Sequence, residues 1–445
     1  MSKPDSITLA LSRRLLSRLE PWRDAAGWRV AFSGGLDSTV LLHLLAELAR
    51  VHALPPLTAV HVNHGLQAVA ASWPVHCRQM CQILGVPMQV IDVQVRPGAS
   101  LEQAARDARY AAFNSTLGPG EVLLTAQHRD DQAETLLFRL LRGAGVRGLA
   151  AMPAQRPLGA GQLLRPLLDE SGATLEAYAR EQGLSWIEDP SNKDSRFSRN
   201  YLRSHVLPLV TSRWPQAIAS MARSAGHLAE AQQLLDELAV QDLALADTPC
   251  PWPWLDMPSL ELAPLEALSP ARQRNALRHW LAPLTRLPDT DHWAGWDSLR
   301  DAGPDGRPIW RLAEGQMHRA EGRIWWLSGI WLKNVAGSQH WSLASQPLTL
   351  PGNGMLQILG AAPAGGLHVH YRQGGETFDV PDRGRRDLKR LLNEKGVPVF
   401  LRGRLPLLYR GEQLLAVANL PGLDASPRGD WRLHWLPPTN DQSLS

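Results

Sequence analysis

The chain of 445 residues is long enough for about three domains with sizeable buried cores. Hydrophobic residues make up 44% and charged residues 20%, and no long apolar run occurs. These values exclude fibrous, disordered and membrane-spanning classes and predict a soluble protein without a membrane partner. The net charge is only +3, so nucleic-acid binding would require basic residues that are concentrated locally.

The cysteines and the N-terminal segment bear on the compartment. Cys77, Cys81 and Cys250 are too few and too irregularly spaced for a disulfide framework or a CxxC zinc site. Arg13-Arg14 superficially resembles a twin-arginine export signal, but polar residues follow where an apolar segment is required. We therefore predict a cytoplasmic protein that begins with an amphipathic helix.

Short β-rich runs alternate with helical patterns in the first part of the chain. The runs cover residues 28–32, 57–62, 88–93 and 122–125. This alternation predicts a doubly wound parallel α/β sheet. Helical signals continue to about residue 185, and a polar, basic stretch precedes Pro208. We expect the first domain to cover residues 1–215.

Two further domains are expected after that boundary. Apolar residues recur at helical spacing from 216 to about 240, and ten of the seventeen tryptophans lie between 252 and 341. We predict a mostly helical domain over 216–345, with tryptophans in its core and a few strands such as 323–327. A Gly/Ala/Pro-rich segment, 352–366, is expected to separate it from a small α+β domain over 367–445.

Basic charge is concentrated near the C-terminus. Between residues 377 and 410 the chain has nine basic residues and four acidic residues, Asp382 among them. Within this stretch Arg385, Arg386 and Arg390 are candidate contacts for RNA phosphates, which arginine binds through its planar fork.

A glycine-rich loop follows the first predicted strand. Its residues are Ser33, Gly34, Gly35, Leu36, Asp37 and Ser38, and a helical pattern follows over 39–48. Paired glycines let the backbone approach a ligand closely, so that N–H groups at the helix start can hold phosphate oxygens. The loop lacks the lysine of a Walker A motif. It resembles the PP-loop ATP pyrophosphatase superfamily, which implies that it binds ATP and that Asp37 helps to hold Mg²⁺.

Several further motifs narrow the resemblance. They run from His61 to Leu66, from Ala105 to Tyr110, from Thr125 to Thr135, from Arg142 to Leu149, from Arg165 to Leu168, from Glu188 to Asn192, from Arg199 to Arg203 and from Arg404 to Leu408. Together they resemble the tRNA(Ile)-lysidine synthase family, strongly over 28–208, weakly through the middle, and again over 374–420. Gln127 stands where many members have a second histidine.

The resemblance implies a two-step ligation that uses ATP. The enzyme would adenylate the C2 oxygen of the wobble cytidine in an isoleucine tRNA with a CAU anticodon, and the side-chain amine of L-lysine would then displace AMP. Adenylation is required because the C2 oxygen is otherwise a poor leaving group. The oligomeric state stays open, a homodimer included.

Lysine attack needs a deprotonated amine, which costs roughly 4.6 kcal/mol at neutral pH. Candidate groups that assist are His128, Asp130, Asp131 and Glu134, with Asp37, His128 and Asp131 as the predicted catalytic residues. Asp131 and Glu134 lie three apart at a helix start and face one side, where they can pair with the ammonium groups of lysine. Arg106 or Arg109 would take its carboxylate.

Simpler interpretations exist for each of these features. The acidic residues after His128 could cap a helix, although their place at a strand end favours a ligand crevice. His61 and His64 could hold a metal, although a strand-end turn is the better interpretation. The GxGxxG match that begins at Gly143 follows a helix and not a strand, so it is rejected as a dinucleotide site.

Another basic cluster comprises Arg196, Arg199 and Arg203, which we predict to contact the RNA backbone and not merely to coat a surface. The rival functions are a tRNA thiolase of the same superfamily, which would need a catalytic cysteine, and an inactive tRNA- or nucleotide-binding module. Cys77 and Cys81 lie at i, i+4 spacing on a helix and are expected to belong to the core.

Overall fold

A computed structural model describes residues 7–64, 72–95, 101–289, 291–303, 306–380, 383–426 and 428–439, without the side chains of residues 101, 102, 192 and 193. This description does not include Gly65 and Leu66 of the motif that begins at His61, the Asn192 side chain or Asp382. The chain divides into two compact units, Met1–Gln233 and Leu234–Ser445. The division falls inside a long helix, Ala217–Ala244, and the expected domain bounds stay a prediction.

A six-stranded sheet forms the centre of the first unit. Its strands are β1 (Gly27–Ala31), β2 (Leu57–Asn63), β3 (Met88–Asp92), β4 (Glu121–Leu124), β5 (Gln155–Leu158) and β6 (Gly161–Leu164). The order is β3-β2-β1-β4-β6-β5, and all neighbours are parallel except the β5–β6 hairpin. The predicted parallel α/β sheet is therefore confirmed, with four strands within a residue or two of their expected bounds.

Helices cover both faces of this sheet. The helices of the first unit are α1 (Ile7–Leu19), α2 (Leu36–Val51), α3 (Trp73–Leu84), α4 (Leu101–Thr116), α5 (Arg129–Leu140), α6 (Val146–Leu149), α7 (Gly172–Glu181), α8 (Ser198–Tyr201), α9 (Leu207–Arg213) and the start of α10 (Ala217–Ala244). A π-helical turn, Leu202–Val206, joins α8 to α9. Trp28 and Val30 pack into one buried cluster and Leu123 into another, as expected for a strand layer covered on both sides.

The second unit begins with helices and a four-stranded antiparallel sheet. The helices are α11 (Leu262–Glu266), α12 (Pro270–Leu281) and α13 (Ala294–Arg300). The sheet contains β7 (Ser259–Glu261), β8 (Ile309–Arg311), β9 (Gly315–Ala320) and β10 (Arg323–Ser328) in the order β7-β10-β9-β8. Trp293, Trp296, Trp310 and Trp326 are buried together, which confirms that tryptophans build this core.

The remainder of the second unit is rich in short strands. They are β11 (Ser338–Trp341), β12 (Leu348–Thr349), β13 (Met355–Gly360), β14 (Leu367–His370), β15 (Thr377–Val380), β16 (Gly384–Asp387), β17 (Leu407–Arg410), β18 (Gln413–Val417) and β19 (Trp431–Leu436), with helices α14 (Leu388–Glu394) and α15 (Val399–Arg402). One buried cluster includes both Leu356 of β13 and Trp435 of β19.

The expected separator, 352–366, is not a linker. Six of its residues form β13, which pairs antiparallel with β19 from Met355↔Leu436 to Gly360↔Trp431. Its glycines suggested a break, but the strand obtains its hydrogen bonds from a partner about 75 residues away, which local composition does not reveal. No helix in the described part of the chain is long and apolar enough to cross a membrane.

Candidate active site

The phosphate loop, residues 33–38, connects β1 to α2. Its two serine hydroxyls lie 3.0 Å apart. Ser33 Oγ accepts from the Gly35 N–H at 3.3 Å, and Ser38 Oγ donates to the Gly35 carbonyl at 3.0 Å. Gly35 begins the 16-residue helix α2 without a side-chain cap, so the first N–H groups of this described helix are available to an anion.

Gly34 holds a backbone conformation that fits glycine. Its φ is +83°, and an added Cβ would lie 2.7 Å from Ile187 Cδ1 and 2.9 Å from Cys77 Sγ. The Ile187 N–H also donates to the Gly34 carbonyl at 2.8 Å. The segment after α7 therefore fixes the loop from behind, and a side chain at residue 34 would displace it.

His128 connects the phosphate loop to the start of α5. Its Nε2 lies 3.6 Å from Asp37 Oδ2 and 3.6 Å from Asp131 Oδ2. The backbone N–H of His128 donates to Asp131 Oδ2 at 3.0 Å, while His128 Nδ1 accepts from the Asp130 N–H at 3.2 Å. Asp131 thus caps the helix and faces the loop at the same time. Asp130 turns away and accepts from the Gly172 N–H at 3.2 Å.

The charge of His128 is set by these carboxylates. Burial alone would lower its pKa, but the hydrogen bond to Asp37 and the charges of Asp131, Asp37 and Asp130 raise the pKa to about 9. Nδ1 can accept from the Asp130 N–H only while it carries no proton. Protonation of the His128 ring therefore gives up this hydrogen bond and gains the attraction to the neighbouring carboxylates. The balance favours an imidazolium at neutral pH beside the phosphate loop.

Arg203 pairs with both predicted lysine-binding carboxylates. Its Nε lies 2.5 Å from Glu134 Oε1, and its Nη2 lies 3.0 Å from both Glu134 Oε2 and Asp131 Oδ1. The Glu134 side chain is 3% exposed and the Arg203 side chain 50%. Burial raises the pKa of Glu134, against the effect of the Arg203 guanidinium. The sequence separated these residues into a lysine set and a tRNA set, and the structure brings them together.

The other predicted lysine-binding residues lie on α4. The Arg106 guanidinium carbon is 4.9 Å from the centre of the Tyr110 ring, which Arg156 approaches at 5.0 Å. Burial lowers the pKa of Arg109, and the positive charges of Arg106 and Arg199 act in the same direction. Tyr110 lies in one of the motifs that carry the family resemblance, whereas no pattern in the sequence pointed to Arg156.

The basic residues after Asp189 have different surroundings. Arg196 is exposed and forms a fork with Asp194 at 2.7–3.1 Å. The Asn200 amide donates to the carbonyls of Ser191 and Asp194, so it shapes this turn. Arg199 is half-buried on the same stretch. These contacts leave the RNA role of Arg196 and Arg199 as a prediction.

The C-terminal arginines lie on an exposed hairpin and the following helix. All four residues of β16 are exposed, and β16 pairs only with β15 among the described strands. Arg385 Nε donates to Thr377 Oγ1 at 2.7 Å across the hairpin, and Arg386 is opposite Phe378. Asp387 caps α14 by accepting from the Arg390 N–H. The role of Arg385, Arg386 and Arg390 in tRNA binding stays a prediction.

His61, Cys77 and Cys81 near β2 are buried, whereas His64 is half-buried. His61 Nδ1 lies 2.9 Å from the Phe32 carbonyl and 3.6 Å from Cys77 Sγ. The described residues contain no group of three or more potential metal ligands. Burial raises the pKa of Cys77 to about 12 and that of Cys81 to about 11, which keeps both thiols protonated.

A separate cavity of about 860 Å³ lies within the first unit. Arg18, Arg129, Arg165 and Arg223 line it, together with residues of α10. No residue of the phosphate loop and none of the predicted catalytic residues lines this cavity. Size alone therefore does not locate the chemistry, which the loop and the carboxylates indicate instead.

Comparison with known proteins places this geometry in a family. A PP-loop domain matches residues 7–210, a TilS substrate binding domain residues 260–325, and a TilS substrate C-terminal domain residues 367–435. The tRNA(Ile)-lysidine synthase of Pseudomonas syringae pv. tomato is 66% identical over 98% of both chains. The enzymes of Pseudomonas fluorescens and Pseudomonas aeruginosa are each 64% identical over 98% of this chain and 99% of theirs.

The chain belongs to the tRNA(Ile)-lysidine synthase family. The family resemblance inferred from the motifs is therefore confirmed, and the PP-loop assignment of the phosphate loop with it. As a lysidine synthase family member the chain is an ATP-dependent ligase of the PP-loop type. The thiolase and the inactive module are not favoured, and the protonated, buried thiols of Cys77 and Cys81 agree with this.

Proposed function

We propose that this chain ligates L-lysine to C2 of the wobble cytidine in an isoleucine tRNA with a CAU anticodon and releases AMP and pyrophosphate. The observation that carries the proposal is the 3.6 Å approach of His128 Nε2 to Asp37 Oδ2. It joins a phosphate-binding loop to a group of carboxylates at the ends of two adjacent parallel strands, β1 and β4.

ATP would bind at the phosphate loop. The N–H groups of Gly34 and Leu36 offer donors to its phosphate oxygens. The Gly35 N–H and the hydroxyls of Ser33 and Ser38 would become donors to ATP by giving up their contacts within the loop. Mg²⁺ at nucleotide sites commonly takes one or two carboxylates together with phosphate oxygens. The Asp37 carboxylate fits this use, because it is 41% exposed in the first turn of α2. A bound Mg²⁺ would neutralise phosphate charge there.

The first step transfers AMP to the substrate. The C2 oxygen of cytidine attacks the α-phosphorus of ATP, the bond to the β-phosphate oxygen breaks, and pyrophosphate leaves. Negative charge on the α-phosphate and leaving oxygens must be stabilised in the transition state, and a cation that is already in place does this. His128 supplies that cation, since its neighbouring carboxylates raise its pKa to about 9.

In the second step the ε-amine of lysine attacks C2 and AMP leaves. Asp131 and Glu134 would hold the amine as an ammonium before the attack, and Arg106 or Arg109 would hold the lysine carboxylate. Since His128 is mainly protonated, we assign acceptance of the amine proton to Asp131 or to a phosphate oxygen and not to His128.

The tRNA would be bound by surfaces in all three proposed domains, 1–215, 216–345 and 367–445. Splaying a base out of the anticodon loop requires contacts with the RNA backbone on both sides of it. We assign these contacts to Arg196, Arg199 and Arg203 in the first domain, and contacts with the tRNA body to Arg385, Arg386 and Arg390 in the last. We assign a cytoplasmic location because the substrate is a tRNA, and sedimentation measures whether the chain forms a homodimer.

The direct test combines purified protein, ATP, Mg²⁺, labelled lysine and an unmodified CAU-anticodon isoleucine tRNA. We expect label in the tRNA with the wild-type protein and none with Asp37→Ala. AMP transfer to the tRNA without lysine incorporation, when other amines are accepted, would keep the adenylation step and reject lysine as the acceptor.

A further inference from the structure

The carboxylates proposed for lysine already hold a cation, the guanidinium of Arg203. This residue makes three contacts of 2.5–3.0 Å with Glu134 and Asp131. Resting on the proposed function, we propose that Arg203 is the resident cation of the lysine pocket and that the substrate ammonium displaces it. Displacement frees Arg203 for a phosphate of the bound tRNA, so lysine binding and tRNA binding reinforce each other.

The exchange conserves charge pairing at Glu134. Its side chain is 3% exposed, and a buried carboxylate left without a cation is strongly unfavourable. A lysine ammonium has three N–H donors and can replace the three contacts that Arg203 makes. The pocket therefore passes from one cation to another without an unpaired state.

Arg203 is placed so that its side chain can leave. It is 50% exposed, whereas its partner Glu134 is almost fully buried, so the guanidinium covers the carboxylates from the solvent side. It lies in the π-helical turn between α8 and α9. Such turns are less regular than an α-helix and recur at functional sites. Rotation of the Arg203 side chain opens the pocket without unfolding either helix.

The surroundings of Arg203 suit an RNA backbone. Tyr201 lies two residues before Arg203 and His205 two residues after it. The two rings stack with their centres 4.9 Å apart, and Tyr201 is 50% exposed. Aromatic rings beside arginines are the usual surface for unpaired nucleotides. The positive charge of Arg199 also lies on this stretch. The Arg203 guanidinium, once released from the carboxylates, would therefore lie close to the phosphates of the bound tRNA.

The test measures the coupling between the two substrates without turnover. L-lysine affinity is determined by calorimetry, in the absence of ATP, with and without unmodified CAU-anticodon isoleucine tRNA. In the wild-type protein we expect tRNA to tighten lysine binding at least about fivefold, within the usual range of coupling between sites. In Arg203→Ala, lysine should bind at least about fivefold more tightly than in wild type without tRNA, and tRNA should change this by less than about twofold.

Salt dependence gives an independent measurement. Saturating lysine should steepen the slope of log affinity for tRNA against log salt by about one in the wild-type protein, as expected for one added phosphate contact. The slope of Arg203→Ala should not respond to lysine. Arg196→Ala is the matched control. This arginine belongs to the same stretch but pairs with Asp194, so lysine should still steepen the salt dependence of tRNA binding in this variant.

Each outcome decides between the proposals. Weaker or unchanged lysine binding in Arg203→Ala, measured on protein that unfolds at the wild-type temperature, would overturn the exchange and make Arg203 a fixed part of the pocket. If the alanine variant does not fold, Arg203→Gln replaces it, and lysine affinity and coupling equal to those of wild type in this uncharged variant would overturn the exchange. If wild-type protein neither binds lysine nor incorporates it, the proposed function itself fails.

Discussion

His128 Nε2 lies 3.6 Å from Asp37 Oδ2, which brings the start of α5 against the start of α2. The two residues are 91 positions apart in the chain and follow adjacent parallel strands, β1 and β4. The phosphate-binding N–H groups, a cation and several carboxylates therefore share one edge of the sheet. The first predictions concern this pair.

Asp37→Asn should abolish lysine incorporation and reduce adenylation by about 10²-fold or more, as for other groups that stabilise charge in the transition state. The variant should fold normally, since the Asp37 side chain is 41% exposed. Adenylation is measured without lysine, as pyrophosphate release that depends on tRNA. Asp247→Asn, an exposed aspartate of the second unit, is the control and should retain full activity. Activity within about threefold of wild type in Asp37→Asn would remove Asp37 from the catalytic site.

His128→Asn should change the pH dependence of stability. The asparagine oxygen can accept from the Asp130 N–H at the start of α5, but the side chain carries no positive charge. Folding raises the pKa of His128 from about 6.5 to about 9. A raised pKa stabilises the folded protein fully below the unfolded value, and this contribution, on the order of 1–3 kcal/mol, is lost as the pH rises through about 9.

Denaturant unfolding at pH 6 and at pH 9.5 tests this sign. The stability difference between wild type and His128→Asn should be large at pH 6 and small at pH 9.5. A difference that is equal at both pH values would show that His128 is not charged in the folded protein.

Gly34→Ala should destabilise the protein by about 1–3 kcal/mol and weaken ATP binding. The added Cβ would meet Ile187 and Cys77 within 3 Å, at a φ of +83°. Gly145→Ala is the matched control, because an added Cβ there meets nothing within 4 Å and the φ is −78°. Thermal unfolding and ATP titration measure both effects. Equal melting temperatures for the two variants would contradict the tight packing behind the loop.

Replacement of Cys77 and Cys81 by alanine should preserve lysine incorporation. Both thiols are buried and their pKa values are raised to about 12 and 11, so neither forms a nucleophilic thiolate at neutral pH. The melting temperature should fall because buried volume is lost. Loss of turnover by the double variant at a temperature where it remains folded would reopen the thiolase hypothesis.

Charge reversal of Arg385, Arg386 and Arg390 to glutamate should weaken tRNA binding and reduce its salt slope by up to about three, one for each phosphate contact. Lysine and ATP affinities should not change. Exposed arginines of the first unit, Arg50, Arg78 and Arg180, serve as a charge-matched triple variant that should bind tRNA nearly normally. Unchanged tRNA affinity in the first variant would remove the hairpin and α14 from the binding surface.

Local patterns were sufficient to predict the phosphate loop and its strands. A buried strand, two glycines and a helix form one continuous segment, so their contacts are between sequence neighbours. The capping of α5 by His128 and Asp131, three residues apart, is equally local, although the position of the acidic residues at a strand end favoured a ligand crevice over capping. Contacts of this kind depend on spacing along the chain, which can be read directly.

The structure of the segment 352–366, expected to be a separator, depends on a strand that is distant in the chain. Glycine and proline content suggested a break, but Met355–Gly360 forms a strand because Trp431–Leu436 lies beside it. Backbone hydrogen bonds between distant segments override weak local preferences. The amino-acid composition of the segment does not reveal which strand pairs with it.

The sequence by itself determined the family, the parallel sheet and the nucleotide loop, since each rests on motifs or periodicities within short windows. Only the tertiary structure decided that Arg203 faces Glu134 and Asp131, which lie 69 and 72 positions earlier in the chain. Folding buries Glu134, and a buried carboxylate requires a cation. Which cation satisfies that requirement depends on distances in space, and spacing along the chain does not contain them.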